Sequence, residues 1–373
     1  MRSSPVRKAV SLQQFLLLLT LLLCGAAGRA QPELSNPLSS AVTLHTGYML
    51  PEYPFIGALT EDYIRSVDVS LFRETVGRSE WDQLYNYPSY GLSLFYSSLG
   101  NEAVFGREAA MNAFCQLYHS APWRRFRVYN RIGLGLGYVT RKYDPQRNPL
   151  NVAVASHLNI HFNFRVGAEY ALTERLGLTT GLSFDHFSNA NTSEPNLGLN
   201  YLTGYGGVSY RWGEKTAKRV HQLAPHSPRN EWALFASLGG KRTRALASNY
   251  YLTASLSVEF TRSLSRKFHL GVGGDLFYDA SVRISLEKQA RSYRPSDHFQ
   301  TGIHLSQSLV YHRLALTIQE GVYIGLTEQV NDYPIYTRGI VRYQFSDRLL
   351  FRFAMKAHLH ILDYPELGFG YLL

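Results

Sequence analysis

Residues 251–260 read Tyr-Leu-Thr-Ala-Ser-Leu-Ser-Val-Glu-Phe, and this stretch decides the fold because apolar and polar residues alternate through it. The side chains of a β-strand point alternately to its two faces. One face of 251–260 is therefore apolar, with Leu252, Ala254, Leu256, Val258 and Phe260. The opposite face carries Thr253, Ser255, Ser257 and Glu259. The pattern predicts a strand between an apolar environment and a polar one.

The same alternation recurs along the chain. Clear examples are 351–361, where Phe351, Phe353, Met355, Ala357, Leu359 and Ile361 share a face, and 132–138, where apolar residues alternate with glycines. No apolar run after residue 30 approaches the roughly eighteen residues of a membrane helix. A soluble β-sandwich would also alternate. The aromatics near segment ends and the Gly, Ser and charged residues of the inward face favour an all-β, transmembrane, antiparallel outer-membrane β-barrel.

Strand-like segments can be marked at sixteen places, the first near 41–50 and the last near 365–373. Because neighbouring short strands can merge, we expect an even number between about twelve and sixteen. The last segment puts Phe369, Tyr371 and Leu373 on one face, like the final strand that the barrel assembly machinery recognises. That machinery is thus an expected partner.

The polar, basic stretch 214–230 contains two prolines and is the clearest break in the pattern. It could separate an eight-strand unit, 41–212, from a second half. One barrel over 31–373 is the simpler interpretation, with 213–373 supplying additional strands that complete it. Residues 41–212 then carry the candidate site described below.

Residues 1–30 have the features of a secretory signal peptide. A basic start precedes the apolar run Phe15–Leu23, and small residues surround the expected cleavage after Ala30. The prediction is export to the outer membrane of a Gram-negative bacterium. Cys115 would then be the one remaining cysteine, which excludes an intramolecular disulfide. The charge after cleavage is 34 − 28 = +6, and no motif of a nucleic-acid reader occurs, so nucleic acid is not an expected partner.

A polar motif interrupts the apolar face of the segment 178–188. His186 and Ser188 share the strand parity of Leu182 and Phe184, and Asn189 follows directly. After six further residues the chain reads Asn196-Leu197-Gly198-Leu199-Asn200, and the segment that returns from it is again apolar on one parity. A base and a nucleophile that project from a lipid-facing side are poorly explained by packing. They favour a hydrolytic site that opens towards lipid.

These residues resemble the outer-membrane lipid A 3-O-deacylases of the PagL type, often called acyloxyacyl hydrolases. The signature of that family is His-x-Ser-Asn on one strand, a loop with Asn-x-Gly, and a Glu at the start of the next strand. The chain matches it at His186, Ser188, Asn189, Asn196 and Gly198. The resemblance covers 176–212 and extends back towards residue 41, whereas beyond 213 it gives nothing specific.

The resemblance implies hydrolysis of an acyl ester of lipid A with Ser188 as nucleophile and His186 as base. The acid of the family falls on Asn200, which can orient an imidazole but cannot stabilise its charged form. Glu194 is the alternative source of a carboxylate. We expect the oxyanion to be held by main-chain N–H groups after Ser188 and by Asn189, with Asn196 and Gly198 shaping the loop. The reaction implies no cofactor and no metal, and its partners are lipid A, or lipopolysaccharide, and the surrounding membrane lipid.

Two rival functions remain open at the level of sequence. One is a barrel of the same ancestry with a structural role and no activity. The other is a porin or transport barrel in which the motif is accidental. His358, His360 and Asp363 lie close in sequence, but a third ligand for a metal is not evident beside the two imidazoles. The sequence leaves open the acyl position that is cleaved, the chain-length preference and the oligomeric state.

Overall fold

A computed structural model gives the fold of this chain. It describes residues 37–189, 192–241, 250–325, 334–358 and 361–373. The predicted signal peptide and His360 lie outside these residues. Among the described residues, no helix is long and apolar enough to cross a membrane.

Sixteen strands account for most of the described chain. They are β1 (Leu38–Met49), β2 (Ile64–Glu74), β3 (Ser89–Ser98), β4 (Arg107–Tyr118), β5 (Phe126–Val139), β6 (Leu158–Ala171), β7 (Leu176–Ser188), β8 (Leu199–Arg211), β9 (Asn230–Lys241), β10 (Tyr251–Ser263), β11 (Phe268–Asp279), β12 (Phe299–Tyr311), β13 (Leu314–Ile324), β14 (Ile335–Gln344), β15 (Leu349–His358) and β16 (Ile361–Leu372). Three short helices lie in the connections: α1 (Pro54–Ala58), α2 (Glu80–Leu84) and α3 (Val282–Lys288).

The strands form two closed antiparallel barrels of eight strands each. In the first barrel β1 pairs with β8, with Val42 opposite Val208. In the second barrel β9 pairs with β16, with Phe235 opposite Gly370. The all-β, antiparallel outer-membrane barrel fold is thus confirmed, and sixteen strands lie within the expected range. The single barrel expected over 31–373 is corrected to two. The first and last strands of each barrel pair with each other, so neither barrel has an unpaired edge at which further strands could be added.

The alternation in the sequence separates the outside of each barrel from its inside. In β10, Leu252 and Leu256 are more than half exposed, whereas Ser255 and Glu259 are buried. Inward charges are paired with one another. Asp68 binds Arg165 at 2.9 Å in the first barrel, and Glu259 binds Arg342 at 2.7 Å in the second. Side chains fill the interior of a ring of eight strands, so an inward charge needs a partner close by.

The connections differ between the two ends of the barrels. Four connections of the first barrel lie at one end, here called the loop end, and span 50–63, 99–106, 140–157 and 189–198. The opposite end, the turn end, carries the connection 75–88, which contains α2, and shorter turns such as 172–175. The linker 212–229 also leaves from the turn end and contacts the connection after β2. Lys218 in this linker pairs with Glu74 at 2.7 Å, and partial burial lowers the pKa of Lys218.

The two barrels contact each other at the turn end. Asp82 of α2 accepts a hydrogen bond from the Tyr311 hydroxyl at 3.0 Å, and Glu80 pairs with Arg266 at 2.6 Å. The rings of Tyr85 and Tyr311 meet edge to face with their centroids 5.3 Å apart. Polar and aromatic contacts from α2 therefore join the first barrel to β12 and the β10–β11 turn of the second.

The filled interiors lead to a prediction about conductance. Because paired charges and polar side chains occupy the inward positions of both rings, we expect no stable ion channel when the purified protein is inserted in a planar bilayer. A porin inserted in the same bilayer is the positive control. Reproducible channel openings by the folded protein would contradict the packing described here and would revive the porin interpretation.

Candidate active site

The candidate site lies at the loop end of the first barrel, where β7 ends and β8 begins. His186 of β7 stands directly opposite Asn200 of β8 in the strand register. Leu182, on the same parity as His186, is 58% exposed on the barrel surface, whereas Asp185 is 0% exposed and points inward. The sequence-predicted parity is therefore observed, and His186 and Ser188 belong to the outer face.

His186 bridges Ser188 and Asn200. Its Nε2 lies 3.1 Å from the Ser188 Oγ, and its Nδ1 lies 2.6 Å from the Asn200 Oδ1. The amide oxygen of Asn200 can only accept, so Nδ1 carries the proton and donates it there. Nε2 is then unprotonated and accepts the hydrogen bond of the Ser188 hydroxyl. In this tautomer His186 can act as a base towards the serine.

Hydrogen bonds within the loop 189–198 fix the residue that follows Ser188. The main-chain N–H of Asn189 donates to the Asn196 Oδ1 at 2.9 Å, and the Asn189 Nδ2 donates to the carbonyl of Ser193 at 2.6 Å. Both groups expected to bind the oxyanion are therefore engaged within the loop. Oxyanion binding by the main-chain N–H requires its present hydrogen bond to be exchanged, whereas the bond to Ser193 uses one of the two N–H donors of the Asn189 amide. The oxyanion role therefore stays a prediction.

Gly198 allows the loop to pass close to the imidazole. Its φ is +71°, a region that glycine adopts without steric cost. A Cβ at this position would lie 2.9 Å from the His186 Cε1 and 3.3 Å from the carbonyl oxygen of Phe187. The Gly198 N–H donates to the carbonyl of Ala153 at 2.9 Å, so the loop 140–157 supports this turn. Gly198 thus has a geometric reason for its place in the motif.

The structure adds one residue that the sequence gave no reason to choose. Glu52 is an exposed carboxylate in the connection after β1. The Leu50 N–H, two residues earlier, donates to the carbonyl of Asn200 at 2.7 Å and holds this connection against the site. Glu52 could not be found from the motif, because 134 residues separate it from His186 in the sequence.

Glu194 lies in the same loop as Asn196. The His186 Nδ1, which Glu194 would have to contact in order to orient the ring, already donates its hydrogen bond to Asn200. Partial burial raises the pKa of Glu194, and the positive charge of Lys288 opposes this shift. Among the described residues, Asn200 and not Glu194 is the polar residue that contacts His186 besides Ser188.

The other histidines of interest have different partners. The His358 Nε2 lies 2.7 Å from the Tyr323 hydroxyl, and its Nδ1 lies 3.8 Å from Asp363. His161 is buried inside the first barrel between Glu108 and Asp185. Within the described ranges, no group of three or more His, Cys, Asp or Glu residues is arranged to hold a metal ion.

The fold and these residues define an antiparallel β-barrel protein with a Ser-His-Asn arrangement on the outer face of one barrel. Two family models match the chain: "Lipid A 3-O-deacylase (PagL)" over residues 65–211, and "Acyloxyacyl hydrolase, C-terminal domain" over residues 230–373. Together they cover most of the chain, and the division between them falls in the linker 212–229. The chain belongs to this family of lipid A deacylases and acyloxyacyl hydrolases.

No curated protein matches this chain. Solved structures similar to it include the outer-membrane protein Omp33 of Acinetobacter baumannii, at 7% identity and a TM-score of 0.16, covering 90% of this chain and 98% of that one. A mutant of the Rh. blastica porin matches at 8% identity and a TM-score of 0.18, covering 91% of this chain and 99% of that one. Overlaps with such low TM-scores carry no argument about function.

Gly198 provides a test of the site geometry. Gly198→Ala should lower hydrolysis by at least about tenfold, because a left-handed φ costs a residue with a Cβ roughly 1–2 kcal/mol and the new methyl group would displace the imidazole. Gly206→Ala in β8 is the matched control, since nothing lies within 4 Å of a Cβ built there. Rates would be measured on purified variants whose folding is verified by circular dichroism. Equal rates for both variants would show that the loop does not need to approach His186 so closely.

Proposed function

We propose that the chain is an outer-membrane esterase that removes an ester-linked acyl chain from lipid A with Ser188, His186 and Asn200. The observation that carries this proposal is the bridge that His186 makes between Ser188 and Asn200 on the outer face of the barrel. Membership of the lipid A deacylase family supports the substrate. Mass spectrometry of lipid A from cells with and without this chain tests it, and unchanged lipid A would contradict it.

The proposed reaction begins with proton transfer from the Ser188 hydroxyl to the His186 Nε2. The Ser188 Oγ attacks the ester carbonyl, and collapse of the tetrahedral intermediate breaks the bond to the sugar oxygen, which receives the proton from Nε2. The acyl chain then rests on Ser188. Water, activated by the same imidazole, hydrolyses this acyl-enzyme and restores the hydroxyl. Each cycle consumes one water molecule and needs neither a cofactor nor a metal.

Asn200 holds the imidazole with Nε2 directed at the serine throughout this cycle. Its amide oxygen accepts a hydrogen bond from the Nδ1–H whether the ring is neutral or protonated. It carries no negative charge, however, to stabilise the imidazolium. Glu52 is an exposed carboxylate on the connection after β1, which the Leu50 N–H holds against Asn200. We propose that it takes over part of the electrostatic role of the family's missing acid.

The location of the site suits an acyl ester at the membrane surface. Ser188 is the last residue of β7 and is 8% exposed, whereas Leu182, six residues earlier on the same face, is 58% exposed on the apolar outer surface. An acyl chain could lie along this face with its ester at Ser188 and would not have to leave the membrane. We further propose export by the predicted signal peptide to a Gram-negative outer membrane and insertion by the barrel assembly machinery.

A structural barrel without activity is the second candidate function. The engagement of the Asn189 main-chain N–H with Asn196 and the replacement of a carboxylate by Asn200 are the observations that favour it. Under this alternative the residues around His186 would persist from an active ancestor. Lipid A analysis separates the two candidates, since only an active enzyme changes the acyl composition.

Removal of the serine or the histidine should abolish activity. Ser188→Ala and His186→Ala are each expected to reduce turnover at least about a thousand-fold, and the double variant little further, because the two residues act as a unit. Both variants should fold, since neither side chain belongs to the barrel interior. Deacylation of purified lipid A in detergent is the measurement. Full activity of a folded Ser188→Ala variant would end the serine-esterase proposal.

The role of Asn200 can be tested by a pair of substitutions. Asn200→Leu should lower the rate sharply because the Nδ1 proton loses its acceptor. Asn200→Glu should retain or raise the rate, because a carboxylate both orients the ring and stabilises the imidazolium. The folding yield of each variant is determined first. Equal rates for Asn200→Leu and the unaltered protein would exclude Asn200 as the orienting residue, and Glu52→Gln and Glu194→Gln would then be compared.

A further inference from the structure

The second barrel reaches the loop that carries the candidate site. Tyr250, just before β10, donates its hydroxyl to the carbonyl oxygen of Thr192 at 3.2 Å. The Thr192 hydroxyl in turn donates to the carbonyl of Asn189 at 2.8 Å, and Asn189 directly follows Ser188. Two hydrogen bonds thus connect the second barrel with the neighbour of the proposed nucleophile.

The helix α3 lies at the same end of the second barrel. Its apolar residues Val282 and Leu286 are buried, with exposures of 4% and 1%, which fixes the helix to the barrel. Lys288, the last residue of α3, is on the exposed side. The Ala280 N–H, two residues before α3, donates to the carbonyl of Leu252 at 3.0 Å, so α3 follows directly on the strand end that carries Tyr250. Burial raises the pKa of Glu194 in the site loop, and the positive charge of Lys288 acts against this effect.

The segment 281–294, which contains α3, is strongly basic. It holds four basic side chains, Arg283, Lys288, Arg291 and Arg294, against the single acid Glu287, a net charge of 4 − 1 = +3. All four basic residues are exposed. Glu287 forms its ion pair with Arg283 at 2.8 Å, at the start of the helix. The excess of positive charge therefore lies from Lys288 onwards, at Lys288, Arg291 and Arg294.

We propose that this segment of the second barrel is the headgroup subsite of the enzyme, in which Lys288 and Arg291 bind a phosphate group of the glycolipid while its acyl ester lies at Ser188. The inference rests on the proposed function and adds a substrate determinant to it. Ammonium and guanidinium groups form strong, charge-assisted hydrogen bonds with phosphate. In this proposal the Lys288 and Arg291 side chains, at the loop end, lie at the level of the headgroups of the membrane lipids. The outer faces of the strands contact the acyl chains.

This proposal assigns a function to the second barrel of the chain. Its interior is filled by paired charges such as Glu259 and Arg342, so it offers no passage of its own. Its contacts with α2 at the turn end and with Thr192 at the loop end hold it beside the first barrel. It can thus present a fixed cationic surface at a constant distance from Ser188.

The experiment compares two double variants in neutral detergent. Lys288→Ala with Arg291→Ala removes the proposed subsite, and Arg175→Ala with Arg348→Ala removes equal charge at the turn end. The probes are bisphosphorylated lipid A and the same lipid A after enzymatic removal of both phosphates. We expect the first double variant to raise KM for the phosphorylated lipid about tenfold, a loss comparable to one charge-assisted hydrogen bond. Its kcat, its kinetics on the dephosphorylated lipid and those of the control should change less than about twofold.

Binding measured in a Ser188→Ala background separates this inference from the proposed function. If the enzyme does not deacylate lipid A, the proposed function fails, but the affinity for each probe can still be compared between the two double variants. Selective loss of affinity for phosphorylated lipid A supports the subsite. Unchanged affinity overturns it. An equal loss for phosphorylated lipid A, dephosphorylated lipid A and phosphatidylglycerol micelles also overturns it and indicates a general lipid contact or a structural role for 281–294.

Discussion

Backbone hydrogen bonding in lipid is the constraint on which the rest of this structure depends. A membrane-spanning strand finds no water for its N–H and C=O groups, so every edge must pair with another strand. The pairing of β1 with β8 and of β9 with β16 satisfies this requirement twice within one chain. A ring of eight has no space for a lumen, and its inward charges must pair with one another, as Asp68 does with Arg131 and Arg165. Chemistry on a substrate is therefore confined to the outer faces and the ends.

The sequence predicted the strands because alternation is a local property. The outward parity of His186 and Ser188 followed from it, and two residues separated by one position on a strand lie about 6.6 Å apart, within reach of a side-chain hydrogen bond. The number of rings could not be predicted in this way. Inward and outward residues alternate identically in one ring of sixteen strands and in two rings of eight. Only the pairing of β8 with β1, across more than 150 residues, distinguishes them, and nothing in either strand alone specifies that partner.

The candidate site likewise combines residues that the motif predicts with residues that only the tertiary structure brings close. The motif placed Asn200 near His186, and the register explains why: the two residues are direct partners on β7 and β8. The engagement of Asn189 with Asn196 and Ser193 depends on how a ten-residue loop folds back on itself, which spacing does not determine. Glu52, Tyr250 and Lys288 approach the site from other connections. Their relevance is a consequence of tertiary structure and leaves no pattern around Ser188.

The exchange of a carboxylate for Asn200 has a physical meaning in this position. At the outer face of a barrel, beneath loops and above the acyl phase, an ionised Glu would have to be desolvated, and only a charged imidazole would compensate for this. Asn avoids that cost in the resting state and still fixes the tautomer of His186. It offers less stabilisation when the imidazolium forms, so a more distant carboxylate such as Glu52, which remains exposed, can contribute without being buried. Substrate binding can offset part of the lost rate when binding energy from a remote headgroup is used to position the ester. A cationic segment held beside the site by the second barrel is a structure able to supply such energy.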